Sequence, residues 1–188
     1  MATLFAHQQT GLEIGIQGNK AFFWDCGCGK SCLSLNLIRE YKARGIGPAL
    51  VVCPISIIRS AWLADAKQFT PELEVVDLHD RFDKKRGKLI ERTAKNRQAL
   101  LEADGIDVYV LNYELLKGLY GAVLKKGFKV LIVDESSRMK DATSQTTRCL
   151  LALAGIKTRA KGGVGFKVAD PPIPHRYCLS GTPAPNSF

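Results

Sequence analysis

Hydrophobic positions in this chain follow two rhythms. Short unbroken apolar runs, rich in β-branched residues, occur at "AFFW" (21–24), "ALVVC" (49–53), "LEVVDL" (73–78), "DVYVL" (107–111), "KVLIV" (129–133) and "RYCLS" (176–180). Between them apolar residues recur with the spacing of one helical face, near 30–43, 56–68, 84–103, 112–124 and 143–154. Gly45 and Gly47 close the first of these helices, and Pro54 and Pro71 mark further boundaries. A strand without polar alternation must be covered on both faces. Such strands alternating with helices predict an α/β fold, a parallel sheet with helices on both faces. One segment breaks the rhythm. Residues 156–175, "IKTRAKGGVGFKVADPPIPH", are rich in Gly, Lys and Pro and predict a loop insertion in an otherwise single domain spanning 1–188.

In a parallel sheet ligands bind outside the carboxyl ends of the strands, so chemistry is sought in the loops that follow them. After the first strand comes "DCGCGKS", in which Gly27, Gly29, Lys30 and Ser31 match the end of the phosphate-binding pattern G-x-x-x-x-G-K-[ST]. Glycines let backbone N–H groups approach phosphate oxygens, and a helix starting near Lys30 points its positive end at the same anion. Lys30 would reach the β- and γ-phosphates of ATP, and the Ser31 hydroxyl would ligate Mg²⁺. The first position of the pattern is occupied by Trp24 rather than glycine. A second strand, "KVLIV", runs into Asp134 and Glu135. There Asp134 can hold Mg²⁺ and Glu135 can orient and deprotonate an attacking water.

Composition narrows the partners. The 188 residues carry 27 Lys and Arg against 18 Asp and Glu, a net charge of +9, which favours a polyanion. No apolar run approaches the roughly 18 residues that span a membrane, and the start lacks a basic-then-apolar leader, so a cytoplasmic location is expected. The six cysteines show neither paired CxxC units nor finger spacing, and the plain reading is reduced thiols. Cys28 and Cys32, near a helix start and a lysine, could ionise and oxidise more readily than the rest.

With these residues identified, the chain resembles the first RecA-like lobe of superfamily 2 helicases, in particular Swi/Snf-type DNA translocases. Six stretches resemble that family's motifs in order: "LFAHQQTGL", "DCGCGKS", "LVVCPISIIRSAW", "VLNYELL", "VDESSRMKD" and "LSGTPAPNS". The resemblance implies that Gln8 lies at the adenine end. Asp25, Cys26, Gly27, Cys28, Gly29, Lys30, Ser31 and Cys32 would line the nucleotide, with Ser31 and Asp134 on the metal and Lys30 and Glu135 catalytic. Ser180, Gly181 and Thr182 would couple hydrolysis to strand grip, and Pro54, Ser56, Asn112 and Tyr113 would lie near nucleic acid. Ser137 stands where many relatives have His, so the usual contact between the acidic box and the 180–182 motif is not expected in its common form. The compact build and "DESS" resemble viral or bacterial members more than large chromatin remodellers; for a viral member the compartment would be the host cytoplasm. The second lobe, which in the family supplies arginines to the γ-phosphate, is not in these residues. A fragment of a longer protein, or one half of an assembly, is therefore expected, with slow hydrolysis on its own. A non-enzymatic lone lobe that binds ATP, nucleic acid or a partner motor is the alternative. A small-molecule kinase would leave "LSGTPAPN" and "VVCPISIIRSAW" without a role.

Read as one helix, residues 81–103 place Arg81, Lys85, Lys88, Arg92 and Lys95 on a stripe, with Phe82, Leu89, Thr93 and Leu100 facing the sheet. Lys85, Lys88 and Arg92 are then candidate phosphate contacts, although a solvated helix face has the same pattern. Lys157, Arg159, Lys161 and Lys167 form a similar group. Basic residues interleaved with stacking aromatics are not evident, so duplex backbone binding without sequence preference is expected.

Overall fold

All six expected strands form, and they join one parallel sheet. The computed structural model describes residues 4–83, 85–139, 141–158 and 165–181. In chain order the elements begin with α1 (Ala6–Ile16), β1 (Lys20–Phe23), α2 (Lys30–Ala43) and β2 (Ala49–Cys53). A broken helix follows, with α3 (Ile55–Ile57), a π-helical stretch (Ile58–Leu63) and α4 (Ala64–Phe69). Next are β3 (Val75–Asp77), β4 (Asp80–Asp83), β5 (Lys88–Glu91), α5 (Ala94–Glu102) and β6 (Val108–Asn112). The chain continues through α6 (Tyr113–Lys126), β7 (Val130–Asp134), a 3₁₀ turn (Ser136–Met139), α7 (Gln145–Leu153) and β8 (His175–Ser180). The sheet order is β1-β8-β7-β2-β6-β3, with every pairing parallel.

Burial on both faces explains the unbroken apolar runs. In β2, Leu50 and Val52 pack with Tyr109, Leu116 and Leu150 on the α6–α7 side, while Val51 and Cys53 pack with Leu33, Leu37 and Trp62 on the α2 side. Every residue of β2, β6 and β7 thus enters one of two cores, whereas the edge strand β1 leaves Ala21 and Phe23 exposed. Among the described residues no helix is long and apolar enough to cross a membrane.

Two elements differ from the reading of the sequence. Helix α1 was not expected, because the residues it buries are Gln8, Gly11 and Gly15, with only Leu12 and Ile16 as apolar contacts beside them. A Cβ on Gly15 would stand 2.8 Å from Leu37 of α2, and one on Gly11 would meet the Trp24 ring at 2.6 Å. The second difference is a correction: residues 84–103 are not one helix. The β4–β5 hairpin takes the first part, and α5 starts only after Thr93, whose side chain accepts a hydrogen bond from the Asn96 N–H. In the turn, Asp83 accepts the N–H groups of Lys85 and Arg86, and Gly87 has φ 61°, the left-handed region. The supposed stripe is therefore spread over several elements. Phe82 and Leu89 do not face the sheet; they pair across the hairpin and are 57% and 45% exposed.

The described part of 156–175 lies against the core. Ala169 and Ile173 donate their N–H groups to the carbonyls of Ala152 and Leu153, and the Tyr120 hydroxyl donates to the Lys167 carbonyl. Arg159 and Lys161 lie outside the described residues. At the start of β8 the His175 ring stacks on Tyr41 at 4.2 Å, and burial holds its pKa below the ordinary 6.5. A depressed histidine stabilises the fold while neutral, and that contribution is lost as pH falls through 6.5 toward the lower folded value. The melting temperature is expected to drop over that interval, and less so in His175→Phe, which keeps the stack and cannot titrate. An unchanged acid limb in the variant would assign the loss to other groups.

Candidate active site

The loop after β1 is built around a lysine that holds its own backbone. Lys30 Nζ donates to the carbonyls of Trp24 at 2.8 Å and Asp25 at 3.0 Å, curling residues 24–30 into a ring at the start of α2. Gly29 takes φ 73°, and a Cβ there would come within 2.2 Å of Gln8 Nε2. Gln8 is itself fixed: its Oε1 accepts the Phe5 N–H at 3.0 Å, and its amide donates to the Cys28 carbonyl at 3.4 Å. The ring of Trp24 packs on Phe22, His7 and the bare face of Gly11, and it does not line the cleft that the loop encloses. The departure from the glycine pattern is accommodated by α1.

The cleft holds about 690 Å³ and is lined by Gln8, residues 26–32, Asp65, Asp134 and Glu135, with Phe5, His7, Ile57, Ala61 and Phe69 among its walls. Lys30 follows β1 and Asp134 ends β7, with β8 between them, and both residues line the same cavity. Asp134 is 6% exposed. Burial raises its pKa above the ordinary carboxylate value, opposed by hydrogen bonds from the Trp62 indole and the Glu135 N–H, each at 2.9 Å, and by the charge of Lys30. Glu135 itself sits at φ 54°, a sparsely populated region for a residue with a side chain, which turns the backbone at the end of β7. Beneath it the buried Tyr113 hydroxyl donates to the Asp134 carbonyl at 2.6 Å.

The donor set suits a hard cation. Ser31 and Asp134 offer oxygen, and Ser31 Oγ donates to the Asp65 carboxylate on α4. Among the described residues no three His, Cys, Asp or Glu side chains form a metal cage. An ion here would be held by one or two protein oxygens together with phosphates, the usual manner of Mg²⁺. Trp62 and Asp65 were not singled out from the sequence. Both lie on the broken helix after β2 and reach the site through tertiary packing; Trp62 closes the "LVVCPISIIRSAW" stretch, but nothing local gives either residue a place in the site.

The family model described as SNF2-related domain matches residues 7–160. The chain belongs to the SNF2-related domain family. It is 28% identical over 183 residues to the Caenorhabditis elegans SWI/SNF-related matrix-associated actin-dependent regulator of chromatin subfamily A-like protein 1 homolog, covering 96% of this chain and 22% of that protein. It is 30% identical over 168 residues to mouse chromodomain-helicase-DNA-binding protein 1-like, covering 87% of this chain and 15% of that protein. The chain thus spans less than a quarter of either relative. Its fold is similar to the Sulfolobus solfataricus SWI2/SNF2 ATPase core in complex with dsDNA, with TM-score 0.66, 20% identity, and coverage of 97% of this chain and 32% of that one. The architecture is RecA-like.

The SNF2-related lobe distributes the remaining expected residues unevenly. Ser180 is buried at the end of β8, and a Cβ on Gly181 would touch Cys26 Sγ at 3.1 Å, so this segment abuts the loop after β1. Thr182 lies outside the described residues. Ser56 is exposed, whereas Pro54 is buried at the start of α3. Asn112 and Tyr113 are each 5% exposed, the former donating to Glu114 and the latter propping the acidic turn. Lys85 and Lys88 are exposed on the hairpin, but Arg92 turns inward and donates to the Asp77 carbonyl at 2.8 Å. Cys32 is also corrected as a reactive thiol. It is 4% exposed and desolvation raises its pKa, the reverse of activation.

Proposed function

We propose that this chain is the ATP- and Mg²⁺-binding first motor lobe of a Swi/Snf-like, DNA-dependent ATPase that translocates on duplex DNA. The observation that carries this reading is the convergence of Lys30 and Asp134, from separate strand ends, on one cleft. On ATP binding the Lys30 ammonium would exchange the Trp24 and Asp25 carbonyls for phosphate oxygens, a trade of neutral acceptors for charged ones. Ser31 would release Asp65 and turn its hydroxyl oxygen to the cation, and Asp134 would face the cation's waters. The Mg²⁺ supplies charge neutralisation on the phosphates. Glu135 would orient and deprotonate the attacking water, and Gln8 would meet the adenine end. Cys26, Gly27, Cys28 and Gly29 would contribute loop backbone to the phosphates, with Asp25 and Cys32 at the loop's two flanks.

An arginine supplied by a second lobe, in the same or another chain, is worth roughly 10³–10⁵ in rate. Turnover by this lobe alone is therefore slow. The segment at Ser180 and Gly181, continuing into Thr182, would transmit nucleotide state to the DNA grip, since it lies against the phosphate loop. The relative seen with dsDNA supports a duplex as the polyanion that the +9 charge calls for. The test is thermal stabilisation by ATP with Mg²⁺, followed by phosphate release with and without duplex DNA. The expected result is a nucleotide-dependent rise in melting temperature and slow turnover that duplex accelerates, lost in Glu135→Gln with binding retained. Stabilisation without any turnover, even with a second lobe supplied, would make the chain a binding module. No stabilisation at all would overturn the reading.

A further inference from the structure

Among the described residues the β4–β5 hairpin pairs with no other strand. An isolated two-stranded ribbon is marginal in water, so this one needs either a strong internal pair or a partner. The cross-strand pair Phe82–Leu89 supplies the first, at the cost of leaving both side chains largely exposed. The charges point to the second. Every hairpin carboxylate is engaged locally: Asp80 with His79 Nδ1 at 2.6 Å, Asp83 with the turn and with Arg86, and Glu91 with Arg97 at 2.6 Å. Among the described residues Arg81, Lys85 and Lys88 have no carboxylate within 4.0 Å, and all three are exposed. Arg81 and Lys88 share the ribbon face opposite the Phe82–Leu89 pair, and Lys85 stands in the turn.

The base of the hairpin is also short of negative charge. Arg59 reaches Asp77 Oδ2 at 3.4 Å, Arg92 donates to the Asp77 carbonyl, and Arg97 donates to the Leu78 carbonyl at 2.9 Å. Arg59 Nε is buried without an acceptor. Burial lowers the Arg92 pKa, and the neighbouring guanidiniums of Arg81, Arg59 and Arg97 lower it further against the opposing pull of Asp77. This group stands at the carboxyl end of β3, on the same rim of the sheet as the cleft, and Arg59 follows the exposed Ser56 by three residues.

We propose, resting on the motor reading above, that the β4–β5 hairpin is a second grip on duplex DNA, with Arg81, Lys85 and Lys88 on backbone phosphates. A two-stranded ribbon has the width of a major groove, and its basic face and turn then meet the phosphates that border it. The grip lies across the sheet from the nucleotide, beyond the segment that starts at Pro54. It holds the duplex without reading its sequence.

The test is fluorescence anisotropy of a labelled duplex with the full chain, over a series of salt concentrations. The triple variant Arg81→Ala/Lys85→Ala/Lys88→Ala is expected to weaken binding about tenfold or more at moderate salt. Its slope of log affinity against log salt should fall by roughly 2–3, near one unit per lost phosphate contact. Its stabilisation by ATP should stay that of the parent, which certifies the fold and the cleft. Unchanged affinity and slope would overturn the hairpin grip and leave the motor reading standing. A parent chain that binds ATP but no duplex would sink both. Competition by polyglutamate as effective as by duplex would assign the patch to an acidic protein instead, and would also overturn the proposal.

Discussion

Lys30→Ala is expected to weaken ATP binding about a hundredfold, close to 2.7 kcal/mol, while leaving the fold nearly untouched. The Lys30 ammonium holds two neutral carbonyls, at 2.8 and 3.0 Å, on a half-exposed loop. Their loss costs under about 1 kcal/mol, because water replaces the donor. With ATP bound, the same donor would face anionic oxygens in a cleft shared with a buried carboxylate, where charge-assisted bonds contribute about 1.5–3 kcal/mol each. The two states thus respond very differently to one substitution. Calorimetric titration with ATP and Mg²⁺ reads the affinity, and thermal melting without nucleotide reads the fold. A variant that melts like the parent and still binds ATP within threefold would mean that the loop carbonyls, not phosphates, are the lysine's only office.

The strands were legible because the physics that buries them is local and repetitive. Every residue of β2, β6 and β7 is buried, so each reads as an apolar run whatever its neighbours do. Helix α2 was equally plain, bounded by a glycine loop and by Gly45. Charge spacing misled at residues 81–95. Arg81, Lys85, Lys88 and Arg92 are separated by four, three and four residues, which fits a helix face. The competing signals were Asp83 and Gly87, a turn's residues set between the alternating "DRFD" and "KLIE". In α1 the informative residues were small ones. Gly11 and Gly15 fit against a tryptophan and a leucine, a form of packing that hydrophobic periodicity does not register.

The site divides along the same line. In the proposed reading, backbone geometry and charge call for Gly29 and Lys30 beside a phosphate and for Asp134 and Glu135 beside a cation and a water, so the residue types announce themselves. The groups that hold those residues in place do so through long-range contacts. Trp62 is 72 positions from Asp134, and Tyr113 lies 21 before it. The tryptophan stood within a recognised motif, yet nothing adjacent to it indicates where its N–H points. Tyr113, from another such motif, was expected near nucleic acid, and no local signal indicated that its hydroxyl supports the acidic turn.

Trp62→Phe should therefore destabilise the lobe by about 2–4 kcal/mol, more than loss of ring volume alone explains. Trp62 is fully buried, and its indole N–H meets Asp134 Oδ2 at 2.9 Å. Phenylalanine fills much of the same space but leaves a buried carboxylate oxygen without that donor. Urea unfolding of four proteins separates the two terms: parent, Trp62→Phe, Asp134→Ala and the double variant. If the hydrogen bond matters, the tryptophan change costs at least about 1 kcal/mol less once Asp134 is gone. Equal costs in both backgrounds would reduce the tryptophan to packing. The bond also joins two functions. Trp62 lies on the helix whose start bears the exposed Ser56, and Asp134 lines the cleft, so in the proposed motor a shift of that helix against a duplex would be felt at the proposed metal carboxylate. In the proposed motor, Trp62→Phe should accordingly blunt duplex stimulation of turnover more than it weakens ATP binding. That split cannot come from a general loss of stability, which would lower both together.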